Sequence, residues 1–253
     1  GGSGRGVVLA ANYVARRYGV RSALPMTRVR RMCPQVVVLE PDYALFTAVS
    51  RSVMETFREV TPIVEAMSLD EAFLDVRGST RRLGPPAEIA EWLRSTVHDE
   101  QGITCSVGVA ASVSVAKLAS RRAKPDGVVV VPPAEVTSFL HPLDVGELYG
   151  VGEKTQARLH QLGLMTVGDL AHTPLSVLQR DVGVHLGRQL HHLAWGTDRG
   201  ELAPSAGPHE PEKSMGANET FARDSDDREF ILRELLRLSS RVGGRMRAAG
   251  VAG

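Results

Sequence analysis

Cysteine is scarce in this chain of 253 residues: Cys33 and Cys105 stand far apart, with no metal-type spacing. That excludes a disulfide scaffold and a Cys-based zinc site, and leaves two small buried hydrophobes in a reducing compartment as the reading. Long apolar runs are also missing, so no stretch approaches the span of a membrane helix. The N-terminus has no charged segment followed by an apolar core, and nothing marks export. The expectation is an intracellular, cytoplasmic protein with no membrane partner. Charge of one sign is lacking too: 30 Lys and Arg against 29 Asp and Glu leave a net charge of +1. Such a balance does not announce a nucleic-acid binder, although in a modular protein the distribution of charge matters more than its sum. With 43% hydrophobic and 23% charged residues there is no disordered or collagenous bias. The length admits one large domain or roughly two to four small modules.

What is present is clustered. Basic residues gather at Arg16-Arg17, at Arg28 with Arg30-Arg31, at Arg121-Arg122 with Lys124, and at Arg233, Arg237, Arg241 and Arg245. The last set repeats every four residues, which lines four guanidinium groups along one side of a helix, with Ile231, Leu235, Leu238 and Val242 free to face a core. A solvated helical face and a phosphate-contacting face are both compatible with that spacing.

The most informative stretch is Ser68-Leu69-Asp70-Glu71-Ala72-Phe73-Leu74-Asp75-Val76. Adjacent side chains on one strand point to opposite faces, so two neighbouring carboxylates converge on an ion only at a turn. Ile63 to Met67 and Ala72 to Val76 both have strand character, which places Asp70 and Glu71 at or beside a tight hairpin connection. Carboxylates there suit one or two hard cations such as Mg²⁺, which keeps waters and substrate phosphates in its other positions. Taken alone, the dipeptide also fits a solvated acidic turn. Asp75, on the departing strand, reads as a support or surface group.

Along the chain, helices are expected at Asn12 to Tyr18, Thr27 to Met32, Tyr43 to Glu59, from Pro86 to about His98, and Ser112 to Arg122. Strands are expected at Val36 to Leu39, Thr104 to Val109 and Gly127 to Val131, besides the hairpin. The order strand, strand, helix, strand, helix, strand over 63–131 suits an α+β layer, with helices covering one face of a mixed or antiparallel sheet. After Pro132-Pro133 the strand signals stop and the chain becomes helical and punctuated by glycine. There Leu148-Tyr149-Gly150-Val151-Gly152-Glu153-Lys154-Thr155 precedes an amphipathic helix. A Gly-x-Gly turn at a helix N-terminus exposes backbone N–H groups to a phosphate, and the segment resembles the helix-hairpin-helix element that grips a DNA backbone, which implies Gly150, Gly152 and Lys154 as candidate DNA-backbone contacts. A weaker copy lies at Val182 to Arg188. Glu201 to Glu212 reads as a linker. Lys213 to Gly216 and Glu219 to Phe221 read as an edge strand leading into the basic helix. His191-His192 do not converge on one ion, and Asp224, Asp226 and Asp227 suit a helix N-terminus.

Together these stretches resemble the Y-family, or translesion, DNA polymerases, most closely the bacterial type. Asn12-Tyr13-Val14-Ala15-Arg16-Arg17-Tyr18-Gly19-Val20 is similar to the family's fingers motif, Ser68 to Val76 to its palm carboxylate motif, and Ala123-Lys124-Pro125-Asp126-Gly127 to its palm lysine motif. The helix-hairpin-helix and the Lys213-Ser214-Met215-Gly216 segment follow in the family's order.

The resemblance implies an α+β multidomain right-hand polymerase: fingers over 1–42, palm over 43–131, thumb over 132–198, a linker over 199–212 and part of a little finger over 213–253. It further implies template-directed transfer of a nucleotide from a dNTP to a primer 3′-hydroxyl on primer-template DNA, with two Mg²⁺ ions. Asp70 would bridge the ions and Glu71 would hold the one that activates the hydroxyl. Tyr13, Arg16 and Lys124 would bind the triphosphate, and Leu9 would pack over the nascent base pair. Lys117, Arg241 and Arg245 would join the hairpin residues in contacting DNA. Ala111-Ser112-Val113-Ser114 departs from the Asn-Lys often found there, so one backbone contact is in doubt.

Relatives also open with a strand carrying a further metal-binding Asp and an aromatic that screens out ribonucleotides, and they end in a tail that binds a sliding clamp. Neither segment is in the sequence, so the expectation is a truncated chain, inactive alone. A catalytically silent DNA-binding paralogue of the same fold is the alternative, and a helix-hairpin-helix nuclease is a more distant one.

Overall fold

A computed structural model describes residues 5–202 and 214–251. Packing divides the chain into two compact units, one formed by Gly1–Ala44 with Pro208–Gly253 and the other by Leu45–Gly207.

In the first unit, α1 (Tyr13–Arg17) starts where the Asn12 side chain accepts a hydrogen bond from the Ala15 amide at 2.9 Å, and it carries Arg16 and Arg17 in its last turn. Cationic side chains suit that end of the helix dipole. Gly19 lets the chain turn at φ +82°, and a Cβ there would sit 2.8 Å from the Met32 methyl. The next helix, α2 (Met26–Met32), folds back so that Val8, Val20, Met26, Val29 and Cys33 bury together. Val36 to Leu39 forms no strand. Val37 is 81% and Leu39 83% exposed, because β-branched composition makes a strand only where a partner supplies the ladder.

The unit's long helix is α12 (Arg228–Ala248), capped by the Asp227 carboxylate, which accepts from the Glu229 and Phe230 amides. None of its residues is buried, and Leu235 of the expected core face is 53% exposed. The sequence period formed the helix, but its apolar face is only partly covered: Ile231, Leu238 and Val242 are half-buried while Leu235 stays exposed. The neighbouring segment 214–221 is also not a strand. It meets α12 through Phe221 against Phe230, ring centroids 5.0 Å apart, and through an ion pair of Glu219 with Arg237.

The second unit begins along α3 (Tyr43–Val60), followed by the hairpin β1 (Val64–Ala66) and β2 (Ala72–Leu74). Short α4 (Thr80–Leu83) and long α5 (Pro86–Gln101) come next, then β3 (Val107–Val109), α6 (Val113–Arg122) and β4 (Val128–Val130). β1 and β2 pair antiparallel, with Ala66 opposite Ala72, while β3 and β4 pair parallel across the α6 crossover. The expected layer of strands and helices is therefore present, with both pairing senses, divided between two two-stranded sheets. α6 lies directly on β3: a Cβ on Gly108 would stand 2.1 Å from the Ala116 carbonyl oxygen.

Beyond Pro132-Pro133 come α7 (Val136–Leu140), α8 (Glu153–Gln161), α9 (Val167–His172), α10 (Leu175–Val182) and α11 (Val184–Ala194). Their core is continuous with that of α6. Val115, Leu118 and Ala119 bury with Leu140, Leu159, Leu170 and Leu190. Each large aliphatic chain removed from water this way contributes about 1.5–3 kcal/mol, so the helical layer holds α6 as firmly as the strands do. No helix among the described residues is long and apolar enough to cross a membrane. Most of the expected linker lies outside the described residues.

Candidate functional site

The hairpin loop is tight because the amides of Met67 and Ser68 both donate to the Glu71 carbonyl, at 2.8 and 3.2 Å. Asp70 and Glu71 thereby sit at the hairpin end, both exposed to solvent. The Ser68 hydroxyl donates to Asp70 Oδ1 at 2.6 Å and orients that carboxylate. Glu71 Oε1 receives Lys117 Nζ from α6 at 2.5 Å. Asp75 is otherwise engaged: Arg77 forks onto both of its oxygens, and this bonding holds its carboxyl below the usual carboxylate range. Both oxygens of Asp75 are therefore engaged by Arg77.

The donor chemistry of Asp70 and Glu71 fits a hard divalent cation, since both are exposed oxygen donors, with Asp70 Oδ1 turned to Ser68 and Glu71 Oε1 to Lys117. The ammonium already on Glu71 marks the place as one that attracts a cation. Among the described residues no third His, Cys, Asp or Glu joins them.

Lys124 lies exposed in the turn between α6 and β4. That turn is tied to α5 by Asp126, whose Oδ1 accepts from Arg94 Nη1 at 2.9 Å. Tyr13, Arg16 and Leu9 belong to the first unit. The Arg16 guanidinium lies 5.1 Å from the Tyr13 ring centroid, and its Nε donates to the Ala11 carbonyl. Leu9 and Tyr13 are both exposed. In the same unit, Arg245 donates to the Gly216 carbonyl at 2.7 Å and Arg241 approaches Glu219 at 3.9 Å, so both lean toward the segment ahead of α12.

The expected glycine turn is present ahead of α8. Gly150 turns at φ +85°, and Gly152 caps the helix without a side-chain hydrogen bond to its first-turn amides. Asp144 braces this turn, accepting from the Gly146 amide at 2.7 Å, from Gln156 at 2.8 Å and contacting His160 at 3.1 Å. The Gly146 bond foremost keeps its carboxyl ionised to lower pH than usual. Lys154 follows in the first turn of α8. The second glycine turn joins α10 to α11, and Gly187 allows these helices to touch: a Cβ there would be 2.8 Å from the backbone of Leu178 and Gln179.

Two further residues have no signal in the local sequence. Asp198 reaches across 84 positions to the N-terminus of α6, accepting from the Ser114 amide at 2.9 Å and the Ser114 hydroxyl at 2.6 Å. Arg199 forks onto Glu65 of β1 while its carbonyl accepts from the Val113 amide. Asp198 thus fills the anion-attracting end of α6, the stretch where the departure from Asn-Lys had put a DNA contact in doubt. A cavity of about 220 Å³ adjoins the acidic hairpin, lined by Met67, Phe73, Val113, Lys117 and Tyr149 among others.

With this geometry in hand, comparison with known proteins is direct. Residues 1–121 match the model of the impB/mucB/samB family, 146–198 that of the DNA polymerase-iota thumb domain, and 212–253 that of the impB/mucB/samB family C-terminal domain. The chain is 39% identical over 251 residues to the DNA polymerase IV of Alkalilimnicola ehrlichii, covering 99% of this chain and 69% of that protein. It is 39% identical over 233 residues to the DNA polymerase IV of Exiguobacterium sibiricum, covering 92% and 64%. Among solved structures, DinB from Sulfolobus solfataricus superposes with a TM-score of 0.72 at 28% identity, over 79% of this chain and 59% of that one. A Y-family DNA polymerase chimera, Dbh-Dpo4(243-245)-Dbh, reaches 0.80 at 27% identity, over 95% and 69%. The fold is that of a right-hand polymerase. The chain belongs to the Y-family DNA polymerases, in the impB/mucB/samB family, and spans 58–69% of the length of the first three relatives of its type.

Proposed function

We propose that this chain carries the nucleotide-inserting machinery of a template-directed translesion DNA polymerase, which transfers a nucleotide from a dNTP to a primer 3′-hydroxyl. The observation that carries this reading is the exposed Asp70-Glu71 pair at the tip of the β1–β2 hairpin. In this reading residues 1–42 act as fingers, 43–131 as palm, 132–198 as thumb, 199–212 as linker and 213–253 as little finger. Asp70 and Glu71 hold Mg²⁺, which when bound lowers the cost of charge building on the attacking and leaving oxygens. Ser68 keeps Asp70 aimed outward.

Lys124 serves as a point charge for the triphosphate on a turn held by Arg94 and Asp126. Arg16 and Tyr13 supply a fork and a phenol for the same group, and Leu9 an apolar surface for the base pair. Gly150, Gly152 and Lys154 grip the DNA backbone through open amides and a cation, without reading sequence. Lys117, Arg241 and Arg245 are further candidates for backbone contact. The cytoplasm is the proposed setting, and a sliding clamp the proposed partner of the whole protein.

The test is titration of a dNTP with Mg²⁺ and primer-template DNA against wild type, Asp70→Ala and Lys124→Ala. Each substitution is expected to weaken nucleotide binding by about tenfold, as for loss of one charge-assisted contact worth about 1.5 kcal/mol. Unchanged binding in both variants would refute the assignment.

A further inference from the structure

Lys117, the lysine on Glu71, is held more closely than an ordinary surface ion pair. Its side chain is 18% exposed against 50% for Glu71, so the stem is packed and the ammonium is delivered to a chosen place. That place is set by α6, which is seated on β3 at Gly108 and capped by Asp198. The ammonium lies 2.5 Å from Glu71 Oε1 and 5.3 Å from the centroid of the Tyr149 ring, in the turn that leads into α8.

We propose that Lys117 is a built-in counter-cation of the metal site, occupying the ligand side of Glu71 when no metal is bound and displaced when a divalent ion arrives. This rests on the reading of Asp70 and Glu71 as metal ligands. A divalent ion takes a carboxylate oxygen at about 2.1 Å, and an ammonium cannot keep the same oxygen at hydrogen-bond distance without facing that charge directly. From the same position the ammonium also faces the Tyr149 ring, whose face attracts a cation, and that contact does not depend on Glu71. Leaving Glu71 therefore costs it only part of its electrostatic stabilisation. The consequence is a site that binds a bare divalent ion weakly and favours one arriving with phosphates, whose negative charge offsets the displaced ammonium.

The probe is Mn²⁺ alone, with neither nucleotide nor DNA, its free concentration counted by electron paramagnetic resonance in the presence of the full chain. Lys117→Met keeps the packed stem and removes the charge, and should bind Mn²⁺ roughly two- to fivefold more tightly, the range an exposed or half-exposed ion pair is worth. Lys117→Arg, which keeps the charge, should bind like wild type. In a Glu71→Gln background, Lys117→Met should change nothing. Lys117→Gln, checked by circular dichroism, repeats the test should Lys117→Met fail to fold. If Mn²⁺ binding depends on Glu71 but is equal or weaker in the neutral Lys117 variants, the counter-cation role is overturned and the metal site stands. If Glu71→Gln leaves Mn²⁺ binding untouched, the metal reading itself falls, and this role with it.

Discussion

Replacing Asp198 with alanine removes the cap that α6 receives from a distant part of the chain. Two bonds to one carboxylate are lost, from the Ser114 amide and the Ser114 hydroxyl. Ser114 is 2% exposed, so water does not readily replace them. An N-terminal cap is worth about 1 kcal/mol, and a buried hydroxyl left without its charged partner costs a further 1–3 kcal/mol or so. Asp198→Ala should therefore destabilise by about 2–4 kcal/mol, and Asp198→Asn, which keeps one acceptor and loses the charge, by about half as much. Urea unfolding followed by circular dichroism measures this as a lower midpoint at unchanged slope. A double-mutant cycle with Ser114→Ala isolates the hydroxyl bond, with an expected coupling of about 1 kcal/mol. Strictly additive effects, or a loss below about 0.5 kcal/mol for Asp198→Ala, would refute the claim that this residue anchors α6.

Gly108→Ala should cost at least about 3 kcal/mol, at the upper end of overpacking penalties, because the new methyl meets α6 backbone instead of a movable side chain; a thermal melt lowered by less than a few degrees would contradict it. His141 gives a pH dependence. Burial and then neighbouring His172 hold its imidazole below the usual range, and its Nε2 is buried without a partner. A histidine depressed in the folded state lets the unfolded chain bind more protons, so stability should begin to fall as pH drops below about 6.5 and stop falling below the folded value. Comparing urea midpoints at pH 7.5 and 5.5, roughly the span of that titration, should show a smaller drop in His141→Gln than in wild type.

Much of the local structure was legible in the sequence. The four-residue period marked α3 and α12, and Pro86 marked the start of α5, whose end at Gln101 lies beyond the expected His98. The turn chemistry around Asp70 and Glu71 located the β1–β2 hairpin with both carboxylates at its end. These features arise from interactions within a few residues, so composition and spacing carry them. Val36 to Leu39 was misread for the complementary reason: a strand is a property of two segments, and residue type speaks for one. The exposure of Leu235 is the same lesson for a helix, since periodicity reports an apolar face and not what covers it.

Sequence by itself therefore determined most of the elements over 43–131, the hairpin carboxylates, the glycine turns and the family. Tertiary structure alone decided which charge meets which. Lys117 on Glu71, Asp198 on Ser114 and Arg199 on Glu65 join positions 46, 84 and 134 residues apart. No local pattern encodes such partners, because they meet only after the helices have packed onto the strands. Asp70 and Glu71 came from the spacing of one short stretch, whereas the cation that faces Glu71 came from the seating of α6 on Gly108.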